Sequence, residues 1–331
     1  MTKIRWGVLG VANIAVKKVI PAMQRGAVSD ITAIASRDME KAQRAARELG
    51  IAKAYGSYDE LLADPAIDAI YNPLPNHLHV LWSIRAAEAG KHVLCEKPVA
   101  LSAAQARELL AVRDRTKVKI GEAFMARTHP QWLRANELAH NGSIGELRVI
   151  TGFFSYMNRD ASNVRNRADW GGGALLDIGC YPVTLSRMLF ASEPLRVLGL
   201  TDRDPDFRID RLTSAILEFP QGRCVFTCST QLVPYQTMQI FGTRGQIAIE
   251  IPFNAPPDRP TKIFVNHRVE EFPICDQYTI QGDLFSRALL DDGPVPVPLE
   301  DAVKNMEVID AIFRSAETGK WEEPASPSHT A

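Results

Sequence analysis

The stretch His92–Ala100, HVLCEKPVA, passes from apolar residues directly into a carboxylate and an ammonium, then a proline. Lys and Glu are rarely buried unless paired or employed. At the end of a buried parallel strand, Glu96 and Lys97 would stand where open α/β sheets bind ligands, outside the carboxyl ends of their strands. Pro98 would fix the backbone behind them. Glu96 and Lys97 would then stand in a cleft and not in a core. A second stretch, DWGGGALLDIGCYPV from Asp169 to Val183, sets three glycines before a helix. Asp177 and Tyr181 are four apart and share a helical face. Beside Lys97 they would form a proton-transfer set. Taken alone, the segment reads better as a half-buried core tyrosine with its hydroxyl in water.

The first turn reads Gly7-Val8-Leu9-Gly10-Val11-Ala12-Asn13-Ile14-Ala15. Set on the dinucleotide fingerprint, Gly10 takes the first glycine, and Ala12 and Ala15 replace the other two. Small residues are wanted there because the backbone approaches a pyrophosphate and the helix packs closely on the strand. The helix N-terminus then offers free N–H groups to phosphate. No Gly-Lys-Ser/Thr follows, which excludes a P-loop. Ser36 and Arg37 end the second strand, with Asp38 behind. NAD sites usually carry an acid here, whereas a guanidinium suits a 2′-phosphate and can stack on adenine. NADP is the expected cofactor, and Asp38 leaves NAD use open. The loop NPLPNHLH, with Leu74, Pro75, Asn76 and His77, opens on the same crevice. His77 and His79 read as polar walls of that crevice or as helix caps.

The elements that must hold these residues alternate in period over the first 120 residues or so. Strand patterns IRWGVLG, ITAIAS, IDAIYN, HVLCE and KVKIGEAF are separated by helical ones. The helices cover Ala12–Arg25 (shortened or kinked by Pro21), 39–50, 79–90 and 102–115, with capping boxes at Ser57/Glu60 and Ser102/Gln105. Such alternation implies right-handed crossovers and a parallel, doubly wound sheet. After residue 124, GELRVITGFFSYM, TSAILEFP, RCVFTCSTQL, QTMQIFGT and GQIAIEIP read as successive strands of a mostly antiparallel sheet. Helical stretches lie near Gln131–His140, Ala174–Leu189, Gln281–Leu290 and Leu299–Thr318. The expected domains are 1–123, a Rossmann NADP-binding domain, and 124–331, an α+β domain for substrate and oligomerisation. The tail EEPASPSHTA is polar, rich in Pro and Ser, and expected to fray.

Composition bounds the function. The chain has 331 residues, 46 % hydrophobic and 23 % charged, with a formal net charge of −1, so it is too long for one comfortable core and has no electrostatic case for nucleic acid or an anionic membrane. No apolar run approaches the roughly 18–20 residues of a membrane helix, and the N-terminus lacks the pattern of a secretion signal. Five cysteines do not make a disulfide framework in a chain this large. Cys224 and Cys228 alternate as in a strand without a second ligand pair, so no metal site is expected, and the thiols read as reduced in a cytoplasmic protein. RCVFTCST and MQIFGT carry apolar residues on more than one face, which suggests a homodimer or homotetramer built on that sheet.

Together GVLGVANIA, SRD, EKP, GGGALLDIGCY, GEAFMARTHPQW and DAVKNMEVIDAIFRSAETGKWE resemble the Gfo/Idh/MocA oxidoreductases, over nearly the whole chain. The resemblance is nearest to the subgroup of dimeric dihydrodiol dehydrogenase, D-xylose dehydrogenase and sugar ketoreductases. It implies an N-terminal Rossmann domain and a C-terminal α+β domain with an open, mostly antiparallel sheet whose face often forms the oligomer. It further implies an NADP(H)-dependent oxidoreductase acting on a sugar or related cyclic alcohol. Lys97 matches the family's catalytic lysine, Tyr181 the proton-exchanging position and Asp177 the acid that contacts substrate. The Lys97–Pro98 bond is often cis in the family. Ser36 and Arg37 match NADP-preferring members, and Arg165 and Trp170 lie in a segment resembling the loop over the nicotinamide. Ala12 departs from the family's glycine. A catalytically inactive dinucleotide or sugar sensor of the same fold is the rival reading, but a sensor need not keep both Lys97 and Tyr181.

Overall fold

The computed structural model of the chain describes residues 2–324; most of the tail expected to fray lies outside them. The chain forms two compact units. The first comprises Met1–Ala100, Ala104–Thr128 and Cys275–Ala302, and the second Leu101–Ala103, His129–Ile274 and Val303–Ala331.

In the first unit, strands β1 (Ile4–Leu9), β2 (Ser29–Ala35), β3 (Lys53–Tyr55), β4 (Ala69–Asn72), β5 (His92–Glu96) and β6 (Ile120–Ala123) form one sheet in the order β3-β2-β1-β4-β5-β6. Every pair in it is parallel. This order reverses between β1 and β4, where doubly wound sheets take dinucleotides. Helices α1 (Ile20–Gln24), α2 (Met39–Leu49), α3 (Tyr58–Ala63), α4 (His79–Glu88) and α5 (Ala103–Thr116) provide the crossovers. A π-helical stretch, Ala15–Val19, runs into α1, which carries Pro21 in its first turn. Proline has no N–H to close an ordinary i→i−4 bond, so the ladder is widened just ahead of it. Asp38 caps α2 by accepting the Lys41 N–H at 3.1 Å, and Gly50 ends it in the left-handed region at φ +67°. Ser57 caps α3 through the Glu60 N–H, while Glu60 reaches back to the Gly56 N–H rather than to that of Ser57.

The second unit holds α6 (Pro130–His140) and an eight-stranded sheet. Its strands are β7 (Leu147–Met157), β8 (Arg196–Arg203), β9 (Asp210–Phe219), β10 (Gly222–Ser229), β11 (Gln231–Gly242), β12 (Gln246–Ile249), β13 (Thr261–Val265) and β14 (Arg268–Phe272), in the order β14-β13-β12-β11-β7-β10-β9-β8. β7 and β10 are parallel and the other pairs antiparallel. One cross-strand row, Val197–Leu217–Cys224–Ile150–Ile240–Ile247, has no exposed surface. The next row, Leu198–Ile216–Val225–Thr151–Gln239–Ala248–Phe264–Val269, lies on the opposite face. There Val225, Phe264 and Val269 are exposed. Helix α7 (Cys180–Phe190) packs on the buried face, preceded by a π-helical stretch, Leu175–Gly179.

Helix α8 (Gln277–Leu290) belongs to the first unit, not to the second as the boundary at residue 123 implied. Phe285 packs on Trp6 at 5.5 Å between ring centroids, and Trp6 Nε1 donates to Ser286 Oγ at 3.1 Å. Both rings are buried, so losing the Phe285 ring would cost about 3–5 kcal/mol. The long α9 (Leu299–Thr318) follows where its period placed it.

Candidate active site

The first unit gathers four expected segments along the carboxyl edge of its sheet: the turn after β1, the end of β2, the loop after β4 and the end of β5. Gly10 has φ +80°, and its N–H donates to the Ala35 carbonyl at 2.8 Å, which closes the turn. A Cβ there would stand 3.0 Å from Leu74 Cδ2 and 3.4 Å from the Tyr58 hydroxyl. Only glycine takes this conformation without strain. Val11, Ala12 and Ile14 are half-buried beside it and Asn13 is exposed, at the start of the helix.

Asp38 is turned to structure. Its carboxylate caps α2, and its N–H donates to the buried Ser36 hydroxyl at 3.2 Å. Arg37 is exposed, and its positive charge acts on the Tyr58 hydroxyl. Burial nevertheless keeps the Tyr58 pKa above its ordinary value, the cation opposing it. The residues at the end of β2 thus present a cation, and the neighbouring acid is committed to its own helix. This arrangement fits a 2′-phosphate.

At the end of β5 the Lys97–Pro98 peptide is cis. Glu96 Oε1 accepts the buried Tyr71 hydroxyl at 2.6 Å, and burial with the Glu96 charge drives the Tyr71 pKa well up. His79 is neither a crevice wall nor a cap. It is 1 % exposed, with Nδ1 2.8 Å from the Pro98 carbonyl and Nε2 2.6 Å from the Leu74 carbonyl. Burial pushes its pKa down to about 4 against the two carbonyls, which favour the protonated ring. Glu122 on β6 is 3 % exposed and accepts the Val99 N–H at 2.8 Å. A carboxylate inside an apolar strand is the same signal that Glu96 and Lys97 gave, and it could have singled out Glu122.

In the second unit, Asp177 and Arg165 come together. Asp177 Oδ2 accepts both the Arg165 Nε–H at 2.9 Å and the Tyr156 hydroxyl at 2.5 Å. The Asp177 charge raises the Arg165 pKa, and burial followed by Asp177 raises that of Tyr156 far above its usual range. The Tyr181 ring is 4 % exposed, edge-on to Phe154 at 5.7 Å and tilted on Phe253 at 5.4 Å. Trp170 is half-buried under the Arg167 guanidinium at 4.6 Å.

Two residues of this unit escaped sequence reasoning. Tyr156 sits in the apolar run GFFSYM with nothing to mark it. Asp210, on β9, caps the segment that carries Asp177 and Tyr181: it accepts the Leu175 N–H at 2.6 Å and the Thr213 hydroxyl at 3.2 Å. Burial pushes its pKa up to about 6. Gly173, at φ +117°, makes room for it, since a Cβ there would fall 1.8 Å from Asp210 Oδ1.

Family profiles match both parts of the chain. Residues 4–124 match an oxidoreductase family with an NAD-binding Rossmann fold, and 132–248 a GFO/IDH/MocA C-terminal domain. An uncharacterized oxidoreductase of Rhizobium meliloti is 48 % identical over 97 % of this chain and 99 % of its own. A D-xylose 1-dehydrogenase (NADP(+)) of Haloferax volcanii is 40 % identical over 95 % and 98 %. The crystal structure of a 3-ketoreductase from Actinomadura kijaniata, in complex with NADP and TDP-benzene, superposes with a TM-score of 0.88 at 30 % identity, covering 95 % of this chain and 98 % of that one.

Proposed function

The chain belongs to the Gfo/Idh/MocA oxidoreductase family, and on that premise we propose that it is an NADP(H)-dependent dehydrogenase or reductase of a sugar or related cyclic alcohol. The observation that carries this reading is the edge of the first sheet, where Gly10, Arg37, the Leu74–His77 loop and the Glu96–Lys97 turn stand together at strand ends. Gly10 to Ile14 would take the pyrophosphate, Ser36 and Arg37 the 2′-phosphate, and Leu74 to His77 with Glu96 the rest of the cofactor. Arg165 and Trp170 would cover the nicotinamide end. When bound, NADP(H) supplies or accepts the hydride.

The remaining work falls to side chains of the chain itself. Tyr181 exchanges the proton of the reacting hydroxyl. Lys97 holds that hydroxyl and, as a cation, favours tyrosinate. Asp177 orients the sugar through a second hydroxyl, with its own carboxylate set by Tyr156 and Arg165. The segment 158–170 carries three arginines, each paired with a carboxylate: Arg159 with Asp206, Arg165 with Asp177 and Arg167 with Asp169. Of these pairs only Arg165 with Asp177 has a largely buried partner; the other two are exposed on both sides.

The row Val225–Phe264–Val269 supports a homo-oligomer formed through the exposed face of the eight-stranded sheet. The five free thiols fit a cytoplasmic protein. A panel of aldoses, ketoses, polyols and trans-dihydrodiols with NADP+ or NADPH, followed at 340 nm, tests the reading. Turnover of free sugars or diols supports it; cofactor binding without turnover of any class would instead favour a sensor.

A further inference from the structure

The peptide that follows the catalytic turn is gripped at both of its polar atoms by buried, ionisable side chains. The Pro98 carbonyl lies 2.8 Å from His79 Nδ1, and the Val99 N–H of the same peptide donates to Glu122 at 2.8 Å. Burying an imidazole and a carboxylate is costly unless each has partners. His79 is not spent on its own helix, because α4 starts without a side-chain cap. Its other nitrogen instead reaches the Leu74 carbonyl at 2.6 Å, in the loop assigned to the cofactor. Asn72 holds the backbone of both ends: its Nδ2 donates to the His79 carbonyl at 3.0 Å and its Oδ1 accepts the Leu74 N–H at 3.3 Å.

We propose that His79 is a positioning residue that joins the cofactor loop to the lysine turn, setting Lys97 by clamping the Pro98–Val99 peptide against Glu122. The neutral ring donates to one of these two carbonyls and the doubly protonated ring to both, and the two contacts have separate consequences. The bond to Pro98 governs where the Lys97 backbone starts and therefore the geometry of proton transfer. The bond to Leu74 governs the loop and therefore cofactor affinity. A displacement of about 1 Å in a reacting group can cost 10²-fold in rate, so loss of the clamp should reduce kcat by about ten- to a hundredfold. This inference rests on the proposed roles of Lys97 and of the Leu74–His77 loop.

The test uses the full-length enzyme and the best substrate of the panel above, with NADPH affinity measured by fluorescence and folding by thermal melting. His79→Asn puts a donor near the Nδ1 position, and His79→Gln puts one near Nε2. The expected pattern is crossed: His79→Asn keeps kcat within about threefold but weakens NADPH about tenfold, while His79→Gln does the reverse. His79→Ala loses both. In a Lys97→Met background, His79→Ala should lower the remaining kcat by no more than about threefold, because the two act as one unit. If the alanine variant does not fold, the Asn/Gln pair decides. Uncrossed, equal losses in Asn and Gln, or a full additional loss in the Lys97→Met background, would overturn the clamp. An inactive Lys97→Met with His79 variants like wild type overturns the clamp alone; a fully active Lys97→Met overturns the role of Lys97 as well.

Discussion

Arg37→Ala isolates the choice of cofactor. Arg37 is exposed at the end of β2, next to an aspartate that caps α2. Its side chain supports no buried structure, so removal should leave folding intact. A charge-assisted bond to a phosphate is worth about 1.5–3 kcal/mol, and solvent screening at an exposed site brings this to the lower part of that range. A loss of about 1.5–2 kcal/mol corresponds to about twelve- to thirtyfold in Kd. NADP+ affinity should fall by that factor, and more at low ionic strength than at high, while NAD+ affinity should change less than about threefold. Isothermal titration of both cofactors into wild type and variant, at two salt concentrations, measures this. Equal losses for NADP+ and NAD+ would refute the assignment of Arg37 to the 2′-phosphate.

Asp210→Asn should reshape stability with pH. The folded pKa of Asp210, about 6, lies above the ordinary 3.8, so its favourable contribution is complete below 3.8 and lost as pH rises through 6, by about 3 kcal/mol. Denaturant midpoints should therefore favour the variant at pH 7.5 relative to pH 4; an unchanged difference would contradict this. Tyr156→Phe removes the hydroxyl that Asp177 accepts, and kcat/KM for sugar should fall about tenfold with NADP+ affinity retained; steady-state kinetics checks it. Val225→Lys combined with Phe264→Lys should convert the expected oligomer to a species near 36.6 kDa in sedimentation. A wild-type mass already at that value at micromolar concentration would remove the oligomer proposal.

The first sheet was legible because its strands are apolar runs between helices with their own period, and because caps such as Asp38 and Ser57 are local. β3 has three residues and β14 reads RVEEF, too short or too polar to register as strands. The return of α8 to the first unit depends on Trp6 meeting Phe285, and no local pattern encodes a contact across 279 positions. The site divides in the same way. Gly10, Arg37 and Lys97 stood out because their types conflict with, or punctuate, the elements that carry them, whereas Asp177 and Tyr181 were assigned roles only through the family resemblance. Tyr156 and Asp210 belong to strands whose patterns they do not disturb, and their partners are remote in sequence. His79 was visible as a residue but not as a brace, because both of its partners are backbone carbonyls.

The central claim is that Tyr181 and Lys97 serve one proton transfer. Its most direct test is kcat for Tyr181→Phe, Lys97→Met and the double variant, with NADP+ affinity determined separately. Phenylalanine preserves the ring packing on Phe154 and Phe253 and removes only the hydroxyl. The expected result is a loss of about 10²- to 10⁴-fold in kcat for each single variant, little further loss in the double, and NADP+ binding retained. A Tyr181→Phe enzyme that keeps more than about a third of wild-type kcat would contradict the claim and move attention to Asp177.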